Sequence, residues 1–99
     1  MEEIKFNVDE KGMGAFTVSE NKEELGELVV SIERNVITAI HTEVNKEAEG
    51  RGLGKKLFNA LIDHARANNL KIKPLCPYVQ LQFKRNSQTV GDLLYNPGR

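Results

Sequence analysis

A single cysteine, Cys76, is all that the 99-residue chain contains. That excludes an intrachain disulfide and a cysteine-cluster metal site, and with them the stapled secreted mini-protein. No metal site is expected, and a reducing cytoplasm is the expected compartment. No apolar run approaches the length needed to cross a bilayer, and the acidic opening Met-Glu-Glu-Ile-Lys-Phe lacks the apolar stretch of a signal peptide. Proline is scarce at three residues and glycine stops at eight, which argues against collagen-like and low-complexity chains. Net charge is missing as well, because 14 Lys and Arg balance 14 Asp and Glu. The zero total hides an asymmetry. Residues 1–50 carry five basic against twelve acidic side chains, a net −7, while residues 51–99 carry nine against two, a net +7. An anionic ligand is therefore to be sought in the second half, and neither nucleic acid nor membrane is an expected partner.

What is present suits one soluble globular domain over residues 1–99, 39% hydrophobic and 28% charged, of a size that buries roughly 60 to 68% of its unfolded surface. Ile4, Phe6 and Val8 alternate with polar residues as in a half-buried strand. Gly12 and Gly14 mark a turn, Phe16 and Val18 a second run, and the polar residues 19–24 a loop. Leu28, Val30 and Ile32 share one face of a third strand, and Arg34-Asn35 suits a hairpin turn. Residues 36–44 are apolar or Thr on both faces over most of their length, the pattern of a strand covered on both sides. An antiparallel meander is the economical arrangement of the four.

The period then changes from 2 to 3.6. Leu53, Leu57, Ala60, Leu61 and Ala65 form one stripe, widened by Phe58 and Ile62 and stopped by Asn68-Asn69, so residues 51–68 read as an amphipathic helix. Residues 70–75 read as a short strand ending at Pro74, and Pro77 suits the first position of a second helix reaching about Arg85. Meander, helix, strand and helix predict an α+β fold with a mixed sheet, the strands flanking the long helix running parallel through a right-handed crossover. Residues 86–99 are polar around Leu93, Leu94 and Tyr95 and either pack back or fray.

The most informative stretch is Glu49-Gly50-Arg51-Gly52-Leu53-Gly54-Lys55-Lys56, where a strand gives way to a helix. Alternate glycines leave backbone N–H groups unshielded, and the helix dipole favours an anion there. Arg51, Lys55 and Lys56 add charge that opposes the dipole until an anion arrives. Other glycine fingerprints fail. A Walker A loop requires Gly at position 49 and Ser or Thr at 56, where Glu49 and Lys56 stand; dinucleotide fingerprints starting at Gly50 or Gly52 meet Lys55 or Leu57. The bland alternative is a loop with a frayed helix start.

Arg51-Gly52-Leu53-Gly54, together with His41-Thr42-Glu43-Val44 and Pro74-Leu75-Cys76-Pro77-Tyr78 in that order, resembles the small single-domain GCN5-related N-acetyltransferases. Gly52 and Gly54 match the family's pyrophosphate loop, and Glu49 departs from its first position. The resemblance covers residues 25–85 and implies a minimal acetyltransferase fold whose parallel strands splay around the pantetheine arm of acetyl-CoA. It implies that the backbone around Val44 pairs with pantetheine, that Gly50, Arg51, Gly52, Leu53, Gly54 and Lys55 hold the pyrophosphate, largely through N–H groups, and that Cys76 lies near the thioester. The helices and strands that commonly build an acceptor site in larger relatives are absent, so the acceptor stays open.

Two residues carry the candidate chemistry. Cys76, ahead of Pro77 at a helix start, is a candidate thiolate nucleophile or a lining of the acyl pocket; the alternative is a buried small hydrophobe. His41, expected on a strand face with Ile37, Ala39 and Glu43, is a candidate general base or a satisfied core histidine. His64, late in the helix, suits a structural role. The second helix offers no well-placed Tyr to protonate a departing thiolate, Tyr78 standing in its first turn. The expected function is acetyl transfer from acetyl-CoA to an unknown acceptor, by way of Cys76; the alternative is a non-catalytic acyl-CoA-binding or interaction module.

Overall fold

The computed structural model describes residues 1–97. Five strands form one sheet in the order β1 (Glu3–Val8), β2 (Met13–Glu20), β3 (Glu23–Glu33), β4 (Val36–Val44) and β5 (Lys71–Pro74). The first four pair antiparallel and β4 pairs parallel with β5. Helix α1 (Leu53–Ala67) makes the crossover, and α2 (Pro77–Arg85) and the short α3 (Ser87–Val90) follow β5. The expected α+β meander with its parallel pair is therefore the observed architecture.

Turn chemistry sets the hairpins. The Asp9 carboxylate accepts from the amides of Lys11 at 2.8 Å and Met13 at 3.0 Å. Gly12, at φ +87°, sits where a β-carbon would collide with the Ile32 carbonyl oxygen. Arg34 takes a positive φ between β3 and β4, as a tight hairpin requires. The expected loop over residues 19–24 is shorter than its polarity suggests. Only Asn21 and Lys22 turn, both at positive φ, while Ser19 pairs with Glu24 and Glu20 with Glu23. A two-residue turn of this kind matches the strand twist, so polar residues extend the ladder instead of leaving it.

Strand β4, expected to be covered on both sides, is covered on one face only. Ile37 and Ala39 are buried, whereas Ile40 and His41 are exposed. Both long helices pack on the same side of the sheet, where Phe58 of α1 meets Phe83 of α2 edge-on at 5.5 Å. That side holds the core: Leu28, Val30, Ile37 and Ile72 from the sheet, Leu57 and Leu61 from α1, Val79 from α2. Each of these fully buried side chains contributes roughly 1.5–3 kcal/mol of transfer free energy. The α1 stripe is as expected except that Ala60 is only partly buried. The segment after α2 packs back: Val90 and Leu93 are buried, and the Tyr95 amide donates to the Ile72 carbonyl at 2.8 Å. Gly98 and Arg99, the end of the expected polar tail, lie outside the described residues.

Candidate functional site

Pairing between β4 and β5 runs from Val36 opposite Lys71 to Ala39 opposite Pro74 and stops. There the Ala39 carbonyl accepts from two successive amides, Leu75 and Cys76, each at 3.0 Å, and the chain turns away into α2. Strand β4 continues to Val44 with no partner on that side among the described residues, so the two strands part like a fork with Cys76 at its crotch.

Cys76 is the N-cap residue of α2, followed by Pro77 at the first helical position, and is only 3% exposed. Its Sγ lies 3.2 Å from Thr42 Oγ1. Burial pushes the thiol up, but the Thr42 hydroxyl and the backbone amides of Val79 and Tyr78 at the helix start outweigh it, leaving the thiol below its ordinary range. Thr42→Val removes the hydroxyl at nearly constant shape. The pH profile of Cys76 alkylation should then move to higher pH, with labelling at neutral pH slowed several-fold, and Thr42→Ser should restore it. An unchanged profile would remove Thr42 from any part in activating the thiol.

A β-bulge separates Cys76 from His41. Val30 pairs with Ala39 and Val29 with His41, leaving Ile40 as an extra residue. Beyond it the alternation is inverted. Thr42, opposite buried Leu28, faces the helices, while His41 and Glu43 face outward. The expectation that His41 shares a face with Ile37 and Ala39 is thus overturned by one inserted residue. Its side chain is 60% exposed, with Nε2 3.9 Å from Glu43 Oε1. His64 instead packs against Phe6, the rings tilted at 44° with centroids 4.4 Å apart, a packing role.

At the open end of the fork a single 3-10 turn, Lys46–Ala48, anchored by buried Ala48, leads into the glycine turn. Gly50 (φ +88°) and Gly52 (φ +75°) adopt left-handed conformations, and no atom lies within 4 Å of where their β-carbons would be. Gly52 is the N-cap of α1, makes no side-chain cap, and is followed by a first turn without an acidic residue. Among the described residues no side chain caps the amides of that turn. Leu53 lends only its backbone, its side chain being buried in the core. A β-carbon on Gly54 would lie 3.0 Å from Tyr78 Cζ and Oη, so the Tyr78 ring leans across the start of α1. Burial raises the Tyr78 hydroxyl above its ordinary range.

Three cations flank this turn, and two are paired. Arg51 Nη2 binds Glu2 and, at 2.9 Å, Glu20, and Lys56 Nζ binds Glu2. Lys55 is exposed and has no ion-pair partner among the described residues. No group of three His, Cys, Asp or Glu able to hold a metal occurs among the described residues. Sequence reasoning missed Thr42, whose inward position depends on the bulge, and gave Tyr78 no part, although its spacing from Pro77 was the available signal.

Residues 15–93 match the family described as GCN5-related N-acetyl-transferase. Among solved structures, a GCN5-like N-acetyltransferase candidate from Staphylococcus aureus superposes with a TM-score of 0.67 at 29% identity, over 93% of this chain and 88% of its own. The ribosomal-protein-alanine N-acetyltransferase of Brucella melitensis gives 0.67 at 16% identity over 78% of this chain. That of Escherichia coli, for S18, gives 0.62 at 16% over 67%. At these lower identities the likeness is one of fold, and this chain covers only 62% and 43% of the two ribosomal enzymes. No curated protein matches the sequence significantly.

Proposed function

The chain belongs to the GCN5-related N-acetyltransferases, and from that premise we propose that it binds acetyl-CoA and passes the acetyl group to an acceptor through Cys76. The observation that carries this reading is the uncapped glycine turn at the open end of a fork whose crotch is a thiol. The residues fit the ligand: side chains at Gly50 and Gly52 would fill the space before the amides, and glycine leaves it free. Acetyl-CoA supplies a thioester-activated acetyl group. The amides of residues 50–55 and the unpaired Lys55 hold its pyrophosphate, and the free edge of β4 near Val44 receives the pantetheine arm.

Cys76 acts as thiolate. Its Sγ forms a bond to the acetyl carbon as the carbon–sulfur bond to the coenzyme breaks, and the coenzyme leaves as thiolate, so charge is conserved. The Thr42 hydroxyl steadies the anionic sulfur before attack. The acceptor then bonds to the acetyl carbon as the carbon–sulfur bond to Cys76 breaks, returning Cys76 to thiolate, and His41, exposed on the other side of β4, takes the acceptor's proton. The near-complete burial of Cys76 favours a second reading, a module that binds acyl-CoA without transferring the acyl group.

Amide-shift titration with acetyl-CoA tests both readings. Perturbations are expected across Gly50, Gly52, Gly54 and Lys56 and at Val44. No change there at millimolar ligand would refute both. The compartment is proposed to be cytoplasmic; among the described residues no helix is long and apolar enough to cross a membrane.

A further inference from the structure

The two engaged cations of the glycine turn have a common partner from the far end of the chain. Glu2 places one carboxylate oxygen on Arg51 and the other on Lys56, and its side chain is only 15% exposed. Glu20, at the end of β2, holds the same guanidinium nitrogen. Pairing of Glu3 with Ser19 brings the start of β1 beside the end of β2, so both carboxylates reach α1 from one corner of the sheet. Lys56 first and then Arg51 hold Glu2 below the usual carboxylate range, and Arg51 does the same for Glu20. Both acids thus stay ionised where the ligand's phosphates would arrive.

We propose that Glu2, supported by Glu20, is an internal counter-anion of the glycine turn that competes with coenzyme phosphates for Arg51 and Lys56 and so limits how tightly the coenzyme is held. This rests on the acetyl-CoA reading above. The first turn of α1 contains no acid and Gly52 carries no side chain, so among the described residues Arg51 and Lys56 take their carboxylate partners from across the sheet corner. A phosphate on the amides brings a second anion to the same pair of cations, and like charges at that spacing repel. The pairs themselves are substantially solvated, Arg51 being 38% and Lys56 50% exposed. Exposed pairs are weak and exchange readily, so the carboxylate yields to the ligand while lowering its affinity. The acidic first half of the chain thereby acts directly on the site in the basic second half.

The test compares coenzyme A binding by wild type and Glu2→Gln, followed through the amides of the glycine turn. Glutamine keeps hydrogen-bonding capacity and removes the charge. The variant should bind about three- to tenfold tighter at roughly 50 mM salt, the advantage falling below about twofold near 500 mM as screening takes over. In the wild type the amides of residues 2–4 should also shift on titration. Glu20→Gln should give a smaller gain of the same sign. Equal or weaker binding by Glu2→Gln, or a gain indifferent to salt, would overturn the competition while leaving the coenzyme reading intact. Silence of the glycine-turn amides in both proteins would overturn the coenzyme reading and the competition together.

Discussion

Incubated with acetyl-CoA and analysed by intact mass, the wild-type protein should gain one acetyl group and Cys76→Ala none. Acetyl transfer to any acceptor found should fall by roughly 10³-fold or more in the variant, the scale on which a missing nucleophile acts. Cys76 is the single cysteine, so the site of the adduct is unambiguous once the thiol is required. Its surroundings favour the ionised form, with the Thr42 hydroxyl at 3.2 Å and the start of α2 behind it. Because Cys76 is buried, the alanine variant also loses packing, and thermal melting must be followed alongside. Cys76→Ser separates the effects: it keeps most of the volume and a polar atom facing Thr42 but lacks an easily ionised nucleophile. Equal labelling of wild type and Cys76→Ala would end the thiol route. Turnover without an adduct in wild type would favour direct transfer, and binding without turnover the non-catalytic module.

Gly52→Val should lower coenzyme affinity by about 100-fold or more while leaving the protein folded. Two costs coincide at this residue. Its φ of +75° is a conformation that a β-branched side chain adopts only under strain, at roughly 1–2 kcal/mol. A β-carbon there would meet no atom within 4 Å beyond its chain neighbours, so the branched side chain would extend into space that the proposed cradle reserves for the anion. The core contacts of Leu53 and Leu57 are untouched by that projection, which is why folding survives. Gly91 provides the control: its φ is −59° and its surroundings are also open, so Gly91→Ala should leave binding and melting nearly unchanged. Retained affinity in Gly52→Val would refute the backbone cradle.

The parts of the fold legible in the sequence were those with strong local periodicity. The stripe through Leu57, Leu61 and Ala65 locates α1 to within two residues at its start, and Pro77 marks the first residue of α2. The polar residues 19–24 misled because charge says little about pairing once a two-residue turn closes the hairpin. Strand β4 misled because an apolar pattern on both faces does not say how many helices exist to cover them. At the candidate site, the glycine turn was legible from spacing alone, including its departure from other phosphate loops. The pairing of Arg51 and Lys56 with Glu2 was not, since it joins residues about fifty positions apart through sheet register. Nor was the inward turn of Thr42, which no alternation rule yields across a bulge.

Ile40 is the surplus residue of the β4 bulge. One surplus residue shifts the parity counted along β4, while the pairing with Val29 and Leu28 of β3 holds the histidine on the open face and the threonine beside the thiol. A substitution at Ile40 alters one exposed side chain. Deleting Ile40 would leave Ala39 opposite Val30 and His41 opposite Val29 in an unbroken ladder, so the imidazole would stay on the open face and the hydroxyl beside the thiol. In this stretch the register with β3, and not the spacing along the chain, decides which side chain meets the thiol.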